Sequence, residues 1–115
     1  MYAIGIYFIM TFIETPIFTK RIKAMISDEE YRLFQHSLIL RPFSGKVITN
    51  GGGLRKVRLG TAGSGKRGSL RVIYFCDVEK NTIYLLLIYK KNEQENLTSN
   101  QLKILRNIMK ECFNE

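Results

Sequence analysis

The sequence has no tryptophan, a single histidine, two cysteines and two prolines among its 115 residues. His36 has no Cys or Asp close by in sequence, so we expect a surface or half-buried side chain rather than a catalyst. Cys76 and Cys112 lack metal-ligand spacing and are too few for a disulfide scaffold. We therefore expect two buried free thiols in a reducing compartment, no metal site and no other cofactor.

Acidic residues are also scarce, because ten Asp and Glu stand against 18 Lys and Arg, giving a net charge of +8. The segment Leu54–Arg71 contains no Asp or Glu. It holds six of the basic residues: Arg55, Lys56, Arg58, Lys66, Arg67 and Arg71. This cluster predicts an anionic partner, nucleic acid above all, because cations that neutralise phosphates release condensed counterions. A membrane surface fits less well, since it favours a basic amphipathic helix, and solubility alone is the remaining alternative.

No apolar stretch is long enough to cross a bilayer. The first thirteen residues are uncharged and largely apolar, but they lack a basic n-region and a small-residue cleavage site. We therefore predict a cytoplasmic protein without a membrane partner. Met10 is a possible alternative start, which would make residues 1–9 an appendage.

The remaining patterns predict one α+β domain with a small antiparallel sheet, an N-terminal helical hairpin and a C-terminal helix. Capping signals and proline mark the helix ends, and apolar periodicity marks the strands. The predicted order is a strand over Phe8–Glu14, a helix capped by Thr15, a helix from Ser27 to Arg41, strands over Leu54–Leu59, Leu70–Asp77 and Thr82–Tyr89, and a helix opening at Thr98.

The glycine-rich middle of the basic segment resembles two nucleotide-binding motifs by letter. Gly60-x-x-x-x-Gly65-Lys66 fits most of a P-loop, and Gly63-x-Gly65-x-x-Gly68 fits a dinucleotide fingerprint. Both require the loop to open a helix, whereas a strand follows here, so we reject both. What remains is a cationic loop joining two strands, in which a hairpin gathers the cations. A plain solvated hairpin is the alternative, and we expect Gly60–Gly68 to be mobile without a ligand.

Four motifs in order, SDEEYRLFQ, LRKVR, GSGKRGSLRVIYF and IYKKNE, together resemble the RelE superfamily of bacterial toxins, in its HigB-type branch. The resemblance covers residues 10–115, which we expect to form a single RelE-like toxin domain, with residues 1–9 as an N-terminal extension. It implies a RelE/ParE-like, microbial ribonuclease-like fold.

The resemblance also implies a function. Such a protein is the toxin of a type II toxin–antitoxin system, a ribosome-dependent mRNA endoribonuclease that cuts the message in the ribosomal A site. The chemistry is attack of a ribose 2′-hydroxyl on the adjacent phosphodiester. The implied partners are the 70S ribosome with its mRNA and a HigA-type helix-turn-helix antitoxin. A catalytically inert RNA- or ribosome-binding module and a ParE-type gyrase poison are the alternatives.

The family's sites use Arg, Lys and Tyr, and matching positions exist here. The expected catalytic residues are Arg58, Lys66, Arg71, Tyr89 and Lys91. The expected RNA-binding residues are Arg55, Lys56, Arg67, Tyr74 and Lys90. Arginine suits phosphorane stabilisation, a lysine among cations has its pKa lowered toward that of a base, and a tyrosine ring stacks on a base. Lys90 stands where the family pattern has glycine, which leaves open whether Lys90 or Lys91 points into the site.

Overall fold

The computed structural model describes residues 10–60 and 69–113. Eight helices and strands lie in this part of the chain: β1 (Thr11–Glu14), α1 (Pro16–Met25), α2 (Asp28–Leu40), β2 (Lys46–Val47), β3 (Arg55–Leu59), β4 (Leu70–Asp77), β5 (Thr82–Lys90) and α3 (Ser99–Phe113). None of the described helices is long and apolar enough to cross a membrane. Residues 8 and 9 of the first predicted strand lie outside the described residues.

The five strands form one sheet in the order β1-β5-β4-β3-β2. The three strands predicted as a meander, β3, β4 and β5, pair antiparallel, and β2 adds to β3 in the same sense. β1 pairs parallel with β5, from Thr11 opposite Thr82 to Glu14 opposite Leu85. The α+β class is therefore confirmed, while the wholly antiparallel sheet is corrected to a mixed one. Apolar alternation does not encode strand direction, so the sequence pattern could not reveal this pairing.

Each predicted helix start is built as its capping residues require. The Thr15 hydroxyl accepts from the Phe18 amide at 3.2 Å and donates to the Leu86 carbonyl at 2.7 Å, which ties the start of α1 to the central strand β5. Ser27 and Glu30 form a complete capping box at α2. Thr98 and Gln101 exchange the equivalent bonds at α3, each at 3.0 Å.

Helices cover both faces of the sheet. On one side, here called the hairpin face, α1 and α2 pack Phe18, Ile22, Phe34 and Leu38 against the sheet. On the other side, the α3 face, Leu105 and Met109 of α3 pack against the opposite surface of the sheet, as the predicted apolar stripe requires. Cys76 and Cys112 pack at the edges of different clusters and are free thiols, but both are half-buried rather than buried as predicted.

The connection between α2 and β2 is fastened to the sheet by Tyr74. The Tyr74 hydroxyl donates to the Pro42 carbonyl at 2.8 Å and accepts from the Gly45 amide at 2.9 Å. A Cβ atom on Gly45 would lie 2.9 Å from that hydroxyl, which explains the glycine. This anchor fixes the loop that delivers β2 to the edge of the sheet.

Candidate nucleic-acid interface

Three predicted site residues form one row across the sheet. Arg58 of β3 lies directly opposite Arg71 of β4, which lies opposite Tyr89 of β5. Residues directly opposite each other in a sheet extend from the same face, and Tyr89 places this row on the α3 face. Arg58 is exposed, while Arg71 is half-buried and donates to the Ser69 hydroxyl at 3.2 Å and to the Leu70 carbonyl at 3.3 Å.

A second row of cations lies two residues further along the same face. Lys46 of β2 is opposite Lys56 of β3. The Lys56 ammonium donates to the Asn96 side-chain oxygen at 2.9 Å, and this bond joins the segment between β5 and α3 to the sheet. The α3 face therefore presents cations on three adjacent strands.

The two rows line an open cleft of about 530 Å³, here called the arginine cleft. Among the described residues, five cations and a single carboxylate line it. The lining residues are Ser44, Lys46, Lys56, Val57, Arg58, Arg71, Lys91, Glu95 and Asn96. A concave surface with this charge concentrates positive potential and attracts an anion such as a phosphodiester.

Lys91, and not Lys90, reaches the arginine cleft. The Lys91 amide donates to the Ser69 carbonyl at 3.3 Å, so Lys91 lies beside the start of β4. Lys90 is opposite Leu70, whose side chain belongs to the core of the hairpin face. The structure therefore places Lys91 at the cleft and Lys90 on the other face of β5, and the role of either lysine in the site stays a prediction.

Tyr89 is buried beside Arg71. Its side chain is 2% exposed, and its buried hydroxyl has no hydrogen-bond partner among the described residues. Burial raises the pKa of Tyr89, and the positive charge of Arg71 opposes part of that increase. At neutral pH the Tyr89 hydroxyl is therefore protonated and has a hydrogen bond left to donate. The Tyr89 ring packs in the core, so it does not stack on a base as predicted.

Two residues predicted to bind RNA lie on the hairpin face instead. Arg55 is opposite Tyr74, and its guanidinium donates to the carbonyls of Phe43 and Gly45 at 3.2 and 2.8 Å while lying 4.9 Å from the Phe43 ring centre. Tyr74 is fully buried and uses its hydroxyl in the anchor described above. Both residues hold the loop before β2, so we leave them out of the site.

Some predictions fall on residues that the structure does not describe. Lys66 and Arg67, with most of the glycine loop Gly60–Gly68, lie outside the described residues. Conversely, Lys46, Glu95 and Asn96 line the cleft without having been predicted. In the sequence these residues are marked only by lying near segments predicted as turns. Their position at the cleft depends on which strands pair, which the sequence pattern does not show.

The arrangement suits the binding of one phosphodiester. Arg58 and Arg71 are opposite each other in the sheet and both line the cleft, so their guanidinium groups offer donors to phosphate oxygens, and a third cation, Lys91, lies in the same cleft. Tyr89 is opposite Arg71 in the sheet, with its hydroxyl buried.

Comparison with known protein families identifies a related family. Residues 10–115 match the family model described as the RelE toxin of the RelE/RelB toxin–antitoxin system. The match begins at Met10 and includes every strand and helix of the described fold.

Proposed function

The chain belongs to the RelE toxin family of toxin–antitoxin systems, and on this premise we propose that it is a ribosome-dependent mRNA endoribonuclease of the HigB-type branch. The observation that carries the proposal is the row formed by Arg58, Arg71 and Tyr89, with Lys91 in the same cleft. In this proposal residues 10–115 are the toxin domain and residues 1–9 are an extension of it.

The proposed reaction is an internal transfer at one phosphodiester. The ribose 2′-oxygen forms a bond to phosphorus, the bond from phosphorus to the 5′-oxygen breaks, and the products are a 2′,3′-cyclic phosphate and a 5′-hydroxyl. Arg58 and Arg71 bind the phosphate oxygens and stabilise the additional negative charge of the phosphorane. This assignment follows from their opposed positions on β3 and β4.

The two proton transfers are assigned to different groups. Lys91 is assigned the role of the base that accepts the proton of the 2′-hydroxyl, because it lies in the same cleft as Arg58 and Arg71. The departing 5′-oxygen takes the second proton, and Tyr89, which lies opposite Arg71 in the sheet and is kept protonated by burial, is its assigned donor. Lys66, which lies outside the described residues, is the second candidate for proton transfer.

The proposed partners follow from the family and the charge. A net charge of +8 supports binding to ribosomal RNA and mRNA in the A site. A HigA-type helix-turn-helix antitoxin would neutralise the toxin in the cytoplasm. Growth arrest on expression, relieved by the product of the neighbouring gene, would support the toxin–antitoxin pairing.

Primer extension on a translated message tests the proposal directly. With the protein present we expect new message ends within the codon occupying the A site, and none on the same message without ribosomes. A 2′,3′-cyclic phosphate at the upstream fragment would support the proposed chemistry. Intact messages with arrested growth would overturn the nuclease assignment, and inhibition of DNA supercoiling would then identify a gyrase poison.

A further inference from the structure

The α3 face continues beyond the two cationic rows into an apolar row. Ile48 lies two residues after Lys46, and Leu54 lies two residues before Lys56. The Ile48 amide donates a hydrogen bond to the Leu54 carbonyl at 2.9 Å. Each step of two strand residues is about 7 Å. The order along the face is therefore arginine row, lysine row and Ile48, at regular spacing.

A second cleft, of about 380 Å³, opens at this end of the face and is here called the Ile48 cleft. It shares Lys46, Lys56 and Asn96 with the arginine cleft, so the two clefts adjoin along one line. Its apolar lining includes Ile48, Leu97 and Leu102. These three side chains are half-buried and pack against the core under α3, which leaves part of each surface open.

Polar groups stand at the rim of this apolar surface. Thr49 is exposed there, and Asn96, which also lines the cleft, accepts the Lys56 hydrogen bond through its side-chain oxygen and carries an amide nitrogen that can donate. The Gly51 amide donates to the Ile48 carbonyl at 2.9 Å, and Asn50 holds a φ of 60° in the same turn. A hydrogen-bonded turn therefore follows Ile48 at this side of the cleft.

We propose that the Ile48 cleft is a nucleobase subsite, which binds the base of a nucleotide adjoining the cleaved bond. Lys46 and Lys56 hold the phosphate between that nucleotide and the arginine cleft. This inference rests on the proposed function, because it places the cleaved phosphate at Arg58 and Arg71.

The chemistry of the cleft matches a base better than a phosphate or a peptide. A base has flat apolar faces and a polar edge, which fit an apolar floor with one amide and one hydroxyl at its rim. The two cationic rows adjoin the Ile48 cleft, so the positive charge extends from the arginine cleft to its edge. A polyanion is the ligand whose negative charges these cations complement. Along a nucleic-acid chain, phosphates alternate with bases. The cations and apolar residues on the α3 face follow one another in a matching order.

The test is binding of a trinucleotide that carries 2′-O-methyl groups and so cannot be cleaved. Methyl signals of Ile48, Leu97 and Leu102 are followed by nuclear magnetic resonance in the full chain. The trinucleotide is compared with versions in which one base at a time is replaced by an abasic residue. We expect methyl shifts that disappear for one abasic position only.

A double-mutant cycle measures the contact. Ile48→Ala should weaken binding of the complete trinucleotide by about fivefold and leave binding of the critical abasic version unchanged, as expected for a contacting pair. Val78→Ala is the control, since Val78 is an aliphatic residue, 59% exposed, at the turn between β4 and β5, and it lines neither cleft.

The outcomes separate this inference from the proposed function. Shifts confined to the lysine and arginine signals, absence of binding at millimolar trinucleotide, or an equal effect of Ile48→Ala on every version would overturn the base subsite. Methyl shifts with no message cleavage on ribosomes would retain the subsite and overturn the nuclease. Message cleavage without methyl shifts would overturn the subsite and retain the nuclease.

Discussion

Arg58 and Arg71 lie directly opposite each other on the antiparallel strands β3 and β4, so two positive charges share one cross-strand position. Like charges in this arrangement destabilise a sheet by about 0.2–1 kcal/mol. A carboxylate at either position would serve the fold better. We interpret the pair as a local conflict between stability and the binding of an anion placed between the two guanidinium groups.

The opposed arginines should therefore separate activity from stability. Arg58→Ala and Arg71→Ala should each reduce message cleavage on programmed ribosomes by about 100-fold or more, the effect of losing one donor to a transition-state charge. Chemical denaturation should show that Arg58→Ala is as stable as the wild type or gains up to about 0.5 kcal/mol. Arg32→Ala, an exposed change on α2 and thus on the hairpin face, is the matched control. Near-normal cleavage by both cleft variants would contradict the site.

The two adjacent lysines at the end of β5 should differ sharply. Lys91→Ala should lower cleavage by about 100-fold or more, because Lys91 lies in the arginine cleft and is assigned a proton transfer. Lys90→Ala should leave cleavage within about twofold, since a surface charge on the hairpin face is screened from the cleft. Single-turnover cleavage rates provide the measurement. A larger loss in Lys90→Ala than in Lys91→Ala would reverse the assignment.

The buried Tyr89 hydroxyl should contribute to activity and not to stability. It has no hydrogen-bond partner among the described residues, so Tyr89→Phe removes an unsatisfied group and should raise the free energy of unfolding by up to about 1 kcal/mol. Cleavage should nevertheless fall by about tenfold or more, since the variant loses a donor beside Arg71. Loss of stability with unchanged cleavage would show that the hydroxyl serves the fold.

Tyr74→Phe should show the opposite behaviour. Its hydroxyl bonds to Pro42 and Gly45, and removing it leaves a buried amide and carbonyl without that partner. We expect a loss of about 1–3 kcal/mol in the free energy of unfolding. Cleavage per folded molecule, measured well below the melting temperature, should stay near that of the wild type. A selective loss of cleavage would return Tyr74 to the site.

Stability should fall at alkaline pH because of Tyr31. Burial, then the hydrogen bond to the Glu14 carboxylate and its charge, raise the Tyr31 pKa above its usual value, while a bond with Gln35 opposes the rise. Above about pH 10 the unfolded chain loses this proton while the folded chain keeps it, so stability present below that pH is lost as pH rises. Denaturation between pH 7 and pH 11 should show a smaller decline for Tyr31→Phe. An equal decline in both proteins would assign the pH dependence to other groups.

The local elements of the fold were predictable because local chemistry determines them. Thr15 with Pro16, Ser27 with Glu30, and Thr98 with Gln101 satisfy helix amides within a few residues, and all three helix starts are confirmed. The parallel pairing of β1 was not predictable, since it depends on where two helices return the chain.

The candidate site was predictable only along single strands. Alternation correctly placed Lys56 and Arg58 on the polar face of β3, and the same rule applied to Arg55 would have moved it to the other face. Lys46 lies in β2, within a segment predicted as a connection, and Asn96 lies between β5 and α3. Only the pairing of β2 with β3 and the bond to Lys56 bring them to the cleft. No pattern in the sequence distinguishes the anchoring Tyr74 from the Tyr89 beside the arginines.

The parallel contact between β1 and β5 also affects the order in which the chain can fold during its own synthesis. Thr15, at the start of α1, is bonded to Leu86, 71 residues later. The start of α1 therefore cannot reach its native contact until residue 86 has been synthesised, and contacts so distant in sequence form late. The edge of the sheet formed by β1 is thus among the last parts of the fold to be completed, although its residues are made first.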